Sequence, residues 1–134
     1  HILLGMKTQY RFDKLIELSD LVSRLSGVKL ASNKPVVGSG NFIRESGIGI
    51  DLVMTKPLAM FGTAPRLTGR EAEIVLGKKS GKASITYTLE KLGIHNVSDE
   101  SVTEILKAVK DKGTEKKGLL SPDEIQEIIK RKLS

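Results

Sequence analysis

The chain reads as mainly α-helical with short β or extended segments, and three observations predict it. Residues 13–26, "DKLIELSDLVSRLS", place Leu15, Leu18, Leu21, Val22 and Leu25 at helical spacing. The closing stretches "SDESVTEILKAVKDKG" and "SPDEIQEIIKRKLS" each pair a cap with an apolar stripe, a two-helix hairpin. Between these regions, residues 27–69 are punctuated by glycine and proline and show no sustained period. The expected organisation is a linker helix with a loop-rich segment over residues 1–69, then a short strand and a helical subdomain over residues 70–134.

In chain order, Asp13 is the expected N-cap of the first helix and Gly27 its stop. "KLASNKPVVGSGNF" follows as extended or looped chain, and "DLVMTKPLAMFG" allows one short helical turn. "AEIVLG", residues 72–77, reads as a short buried strand or extended segment. "GKKSGKAS" is a glycine-bounded turn launching a helix to about Leu92, with Ile85, Leu89 and Leu92 on one face and Gly93 as its stop. In the hairpin, Ser98 caps a helix expected to end at Gly113. Ser121, Pro122 and Glu124 open the last helix as a capping box.

The chain has 134 residues, 39% of them hydrophobic, and no cysteine. That composition suits a globular piece and excludes a disulfide framework or thiolate chemistry. No apolar run reaches the ~18 residues of a membrane span, and "HILLGMKTQYRF" is too short in its apolar part for a secretory signal. A cytoplasmic protein with no membrane partner is the expectation. His1 opens the chain and the first methionine is Met6, so a piece of a longer polypeptide is expected. So long an unpatterned stretch as residues 27–69 is usually wrapped over something else, which points the same way.

Net charge is +6, and from Glu90 onward nine basic residues balance nine acidic ones, so the excess lies before that point. With five Phe and Tyr in all and no Trp, a nucleic-acid partner is not expected. A small anionic ligand or a solvated surface suits the basic surplus better.

Among motifs, "GKKSGKAS" superficially resembles a phosphate loop. Only three residues separate its first glycine from the Gly-Lys pair, and Ala83 stands where a magnesium-binding hydroxyl belongs. Two readings stay open there: a capping turn with solvated lysines, or an anion site at a helix start. His95 follows a helix stop, and no second nitrogen or sulfur ligand has metal-binding spacing. Asp51, Glu45, Glu71 and Glu73 read first as solvated carboxylates. Arg44–Glu45, set immediately before "SGIG", is either a structural or a functional ion pair.

Three segments in order, "NKPVVGSGNFIRESGIGID", "IVLGKKSGKASITYTLEKLGI" and "LLSPDEIQEII", carry a family resemblance. Together they resemble the post-barrel region of the isopropylmalate, homocitrate and citramalate synthase family, metal-dependent TIM-barrel acyltransferases related to hydroxymethylglutaryl-CoA lyase. The resemblance implies a fragment of such an enzyme without its barrel. The barrel would bring the divalent metal, acetyl-CoA and a 2-oxo acid. The present region would pack on its own barrel and on a second subunit of a homodimer, residues 1–69 covering the partner's active site. It further implies Arg44 and Glu45 as candidate catalytic residues. Ser46, Gly47, Asp51, Lys78, Lys79, Ser80 and Lys82 are implied substrate-binding residues, with no metal ligand in this chain.

Departures from the family pattern accompany the match. Aligned on "ESGI", Arg44 and Gly49 stand where the family carries histidines, the second of them catalytic, while Lys79 and Lys82 replace a histidine and an arginine. Glycine cannot move a proton. Arg44 would instead bind a substrate carboxylate or an enolate. The alternatives are a divergent relative with lyase-like or Re-citrate-forming chemistry, or a non-catalytic basic binding or assembly module.

Overall fold

A computed structural model describes residues 4–133. His1, one of the two histidines, lies outside the described residues. Among the described residues ten elements follow one another, seven of them α-helix or strand and three single turns of 3-10 helix. They divide into two compact units that interleave along the chain. One comprises the chain through Phe42 with Phe61–Glu71, the other Ile43–Met60 with Ala72–Ser134.

In the first unit a 3-10 turn, Phe12–Lys14, runs into helix α1, Leu15–Ser26. Gly27 ends α1 in the left-handed conformation, φ 71°, where a side chain would strain the backbone. Asp13, the expected cap, makes no capping bond. It sits inside the 3-10 turn, and its two carboxylate oxygens accept from Arg11 at 2.9 and 2.7 Å. A bidentate guanidinium outcompetes exposed backbone N–H groups for that carboxylate. No residue of α1 is buried, and Leu18, Leu21, Val22 and Leu25 all face solvent. The unit's order comes from its loops. Gly40 and Gly38 fold back on Ser32 and Lys34 through backbone bonds of 2.9 and 2.8 Å. Phe42 and Phe61 meet edge to face at 5.5 Å, and Phe42 is 4% exposed.

The second unit holds the hydrophobic core. Strand β1, Ile43–Arg44, pairs in parallel with β2, Glu73–Ile74, in register Ile43 to Glu73 and Arg44 to Ile74. The expected strand at residues 72–77 is thus shorter, and β1 carries no sequence signal. A two-residue strand inside a glycine-rich stretch has no period to read. Helix α2, Ile50–Thr55, with a 3-10 turn at Pro57–Ala59, is the short helical piece expected there. Helix α3, Lys82–Lys91, is followed by Gly93 at φ 75°. Ile85 and Leu89 are buried as expected, but Leu92 is 43% exposed, because it is the cap residue where the helix turns away from the core.

Helices α4, Asp99–Lys116, and α5, Pro122–Leu133, form the hairpin. The Ser101 N–H donates to Ser98 Oγ at 3.1 Å, and Ser121 and Glu124 make both halves of the capping box at 2.7 and 3.3 Å. Contrary to expectation, α4 does not stop at Gly113 but runs through it to Lys116, and Lys117 reverses the chain at φ 54°. Gly113 is where α4 crosses the chain at Gly77 and Lys78. A β-carbon there would lie 2.7 Å from the Lys78 nitrogen and 3.0 Å from Gly77 Cα. The helical penalty of glycine, about 1 kcal/mol relative to alanine, is accepted for that approach. The core joins Leu76, Ile85, Leu89, Val102, Ile105, Val109, Leu120, Ile128 and Ile129. Leu120 is tied to Leu76 by a backbone bond of 2.9 Å.

Candidate functional site

The β1–β2 pairing brings together two glycine-rich segments far apart in sequence. From β1 the chain passes Arg44 and Glu45 into the loop Ser46–Gly49. From β2 it passes buried Leu76 into the turn Gly77–Ser80. The turn is closed on itself. The Gly77 N–H donates to Ser80 Oγ at 2.9 Å and the Ser80 N–H to the Gly77 carbonyl at 3.2 Å. Ser80, 2% exposed, therefore shapes the turn from within.

Glu45 joins the two segments. Its Oε1 accepts the Lys79 N–H at 2.9 Å and lies 2.6 Å from where a β-carbon on Gly77 would stand. Behind it, Gly47 and Gly81 cross in backbone contact. A β-carbon on Gly47 would come within 2.7 Å of Gly81 Cα. Two glycines at one crossing let main chains approach where any side chain would separate them. Gly81 also caps α3, and its N–H donates to buried Ser84 Oγ at 3.4 Å.

Arg44 braces the loop. Its Nη2 donates to the Ile48 carbonyl at 3.0 Å, and Ser46 Oγ accepts the Ile48 N–H at 3.3 Å. The Arg44 Nε is buried with no hydrogen-bond partner among the described residues. Gly49 caps α2 at φ 76°, and a β-carbon there would meet Met60 Cε at 3.0 Å and Sδ at 3.2 Å.

The structure thus gathers Arg44, Glu45, Ser46, Gly47, Lys78, Lys79 and Ser80. Two sequence candidates stand apart. Asp51 is exposed in the first turn of α2, and Lys82 pairs with Asp99 at 2.6 Å. Lys117 and Thr114 were missed. With Glu45, Lys78, Lys79 and Leu119 they line a cavity of about 360 Å³. The only sequence hint was a glycine, Gly113, sitting in an otherwise helical pattern. Among the described residues no cluster of His, Asp or Glu is arranged to hold a metal, and no helix is long and apolar enough to cross a membrane.

Both segments fall within the part of the chain that matches known proteins. Residues 36–117, which include both of them, match the family described as homocitrate synthase post-HMGL domain-like. The chain belongs to that family. It is 38% identical over 112 residues to an (R)-citramalate synthase of Methanocaldococcus jannaschii, covering 84% of this chain and 23% of that protein. A probable 2-isopropylmalate synthase of Archaeoglobus fulgidus is 36% identical over 126 residues, 92% of this chain and 25% of the relative. A homocitrate synthase of Methanopyrus kandleri is 34% identical over 131 residues, 98% of this chain and 32% of the relative. The chain thus spans a third or less of the length of these synthases. It corresponds to the C-terminal, post-barrel region of the synthase family, and its helical architecture with one two-stranded sheet is the fold expected of that region.

Proposed function

We propose that this post-barrel domain serves an acetyl-CoA-dependent enzyme that condenses acetyl-CoA with a 2-oxo acid, by covering the active site of a partner subunit in a homodimer. The observation that carries this reading is the Glu45–Lys79 bridge, backed by the Gly47–Gly81 crossing. Together they hold Arg44 and its loop on a rigid support. The unburied apolar stripe of α1 supports it too, since such a face needs a cover that these residues do not supply. Ile48, 80% exposed at the loop tip, and exposed Leu58 suit burial against another surface.

In this reading the Arg44 guanidinium receives the carboxylate of the 2-oxo acid or the negative charge developing on its oxygen. Glu45 holds the loop against the turn, and Ser46 and Gly47 shape the approach. Lys78, Lys79 and Lys82 set positive charge beside it, and Asp51 heads α2. A divalent metal would polarise the oxo group; the described residues offer it no ligand set, so it and acetyl-CoA belong to a barrel outside them. A cytoplasmic location goes with this reading.

The test is CoA release by the full-length protein carrying Arg44→Ala or Glu45→Ala. Turnover should fall in both, and unchanged turnover in both removes the loop from the mechanism. A second reading, altered lyase-like or Re-citrate-forming chemistry, is favoured by Gly49, whose left-handed backbone and Met60 neighbour leave no proton-transferring side chain at that place. Product analysis of the full-length protein separates the two.

A further inference from the structure

The chain has sixteen lysines, and three of those with no carboxylate partner among the described residues share one recess. Lys14, Lys82, Lys112, Lys116 and Lys132 are each ion-paired with a carboxylate at 2.6 to 3.4 Å. Lys78, Lys79 and Lys117 have no such partner among the described residues, and all three line the cavity of about 360 Å³ between the Gly77–Ser80 turn and the end of α4. The larger groove between α4 and α5, about 630 Å³, mixes both signs of charge, and Lys112–Glu115 and Lys132–Glu104 are already joined there. The small cavity has one acid, Glu45, whose Oε1 already accepts the Lys79 N–H. Three exposed lysines and one carboxylate leave a net positive charge around this recess.

A second oddity lies at the same place. Lys117 holds the left-handed conformation at φ 54°, and Gly118, for which it is cheap, comes one residue later. A lysine there costs on the order of 1 kcal/mol relative to glycine. The fold needs a left-handed residue at that position; it does not need a cation. Lysine ammonium groups bind phosphate as point charges, and three of them around one recess suit an anion carrying more than one negative charge. The volume lies at the small end of ligand sites.

We propose that this cavity is an anion-binding site for a phosphate-bearing small molecule, with Lys78, Lys79 and Lys117 as its cations and Glu45 as the carboxylate that limits its affinity. It rests on the cavity and not on the catalytic reading. A full-length enzyme indifferent to Arg44→Ala would leave it standing.

The test is titration of the full chain with inorganic pyrophosphate, followed by calorimetry and by amide NMR shifts, with malonate as the dicarboxylate comparison. The expected result is saturable shifts centred on Lys78, Lys79, Lys117 and Gly118, with pyrophosphate preferred over malonate. Lys79→Gln with Lys117→Gln should weaken binding about tenfold, a difference of 1.4 kcal/mol. Glu45→Gln should tighten binding. Lys117→Gly separates binding from folding, because it should raise or preserve the melting temperature while weakening pyrophosphate binding severalfold. Absence of binding, equal binding of malonate, or pyrophosphate affinity unchanged in the double variant and in Lys117→Gly overturns the proposal.

Discussion

Glu45 Oε1 accepts the Lys79 N–H at 2.9 Å, joining two segments 34 residues apart in sequence. A carboxylate accepting a backbone N–H is a charge-assisted bond, so its removal should exceed the effect of a neutral one. Glu45→Ala should lower stability by roughly 1–2 kcal/mol, and Glu45→Gln, which keeps an acceptor oxygen, by less. Thermal melts of the two variants check this. Equal losses would mean that the bond contributes little and that packing against Gly77 dominates.

The two glycine crossings make a sharper prediction. Gly47→Ala and Gly113→Ala both place a β-carbon 2.7 Å from backbone atoms, which cannot rotate away. Each should cost about 1–3 kcal/mol, the range for overpacking. Gly113→Ala is the more telling case, because within a helix alanine alone would gain about 1 kcal/mol over glycine. Gly62 has nothing within 4 Å of its β-position, so Gly62→Ala serves as the neutral control. Denaturant midpoints of the three variants decide the matter.

At Gly49 the neighbour is soft. Met60 Cε and Sδ, at 3.0 and 3.2 Å, are the flexible end of a side chain and can swing aside. The left-handed φ of 76° remains a penalty for any side chain there. Gly49→His should therefore destabilise by on the order of 1–2 kcal/mol, with only part recovered in Gly49→His/Met60→Ala. A double-mutant cycle by chemical denaturation measures that coupling. Full recovery would show that Met60, and not the backbone, closes the position to a side chain.

The last helix carries a pH signature. The Glu124 carboxylate is held at a pKa of about 2 by its hydrogen bond from Lys116 and next by the Ser121 N–H. An ordinary glutamate titrates near 4.3 when unfolded, so the folded value is depressed. The stabilisation is present above the unfolded pKa and is lost as pH falls through the window from about 4.3 toward 2. Melts across that window should show a slope that flattens in Glu124→Gln. Lys116→Met should narrow the window by raising the folded pKa.

On α1, Leu25 is 80% exposed and Val22 54%, so Leu25→Ser should change the stability of this chain by no more than about 0.5 kcal/mol. In the full-length protein the same change should weaken self-association, if that face is covered by a second subunit. Sedimentation of wild type and variant gives the answer, and an unchanged dimer would place the dimer contact elsewhere.

The sequence by itself determined what depends on neighbours a few residues apart. The amphipathic period of α1, the Ser98 cap and the Ser121–Glu124 box are local, and each formed as read. The family, too, was legible in "RESGIGID" and "GKKSGKAS". Where a capping or stop signal competed with another partner, near or distant, the reading failed. Asp13 went to Arg11 rather than to a cap, and Gly113 marked a crossing rather than a stop. Only the tertiary structure decided that the two motifs meet, because the β1–β2 pairing and the Glu45 bridge join residues about thirty apart. It also decided that Lys117 stands beside Lys78 and Lys79 around one cavity. Contacts of that separation leave no periodicity in the chain; they exist once the core of α3, α4 and α5 has fixed where each backbone runs.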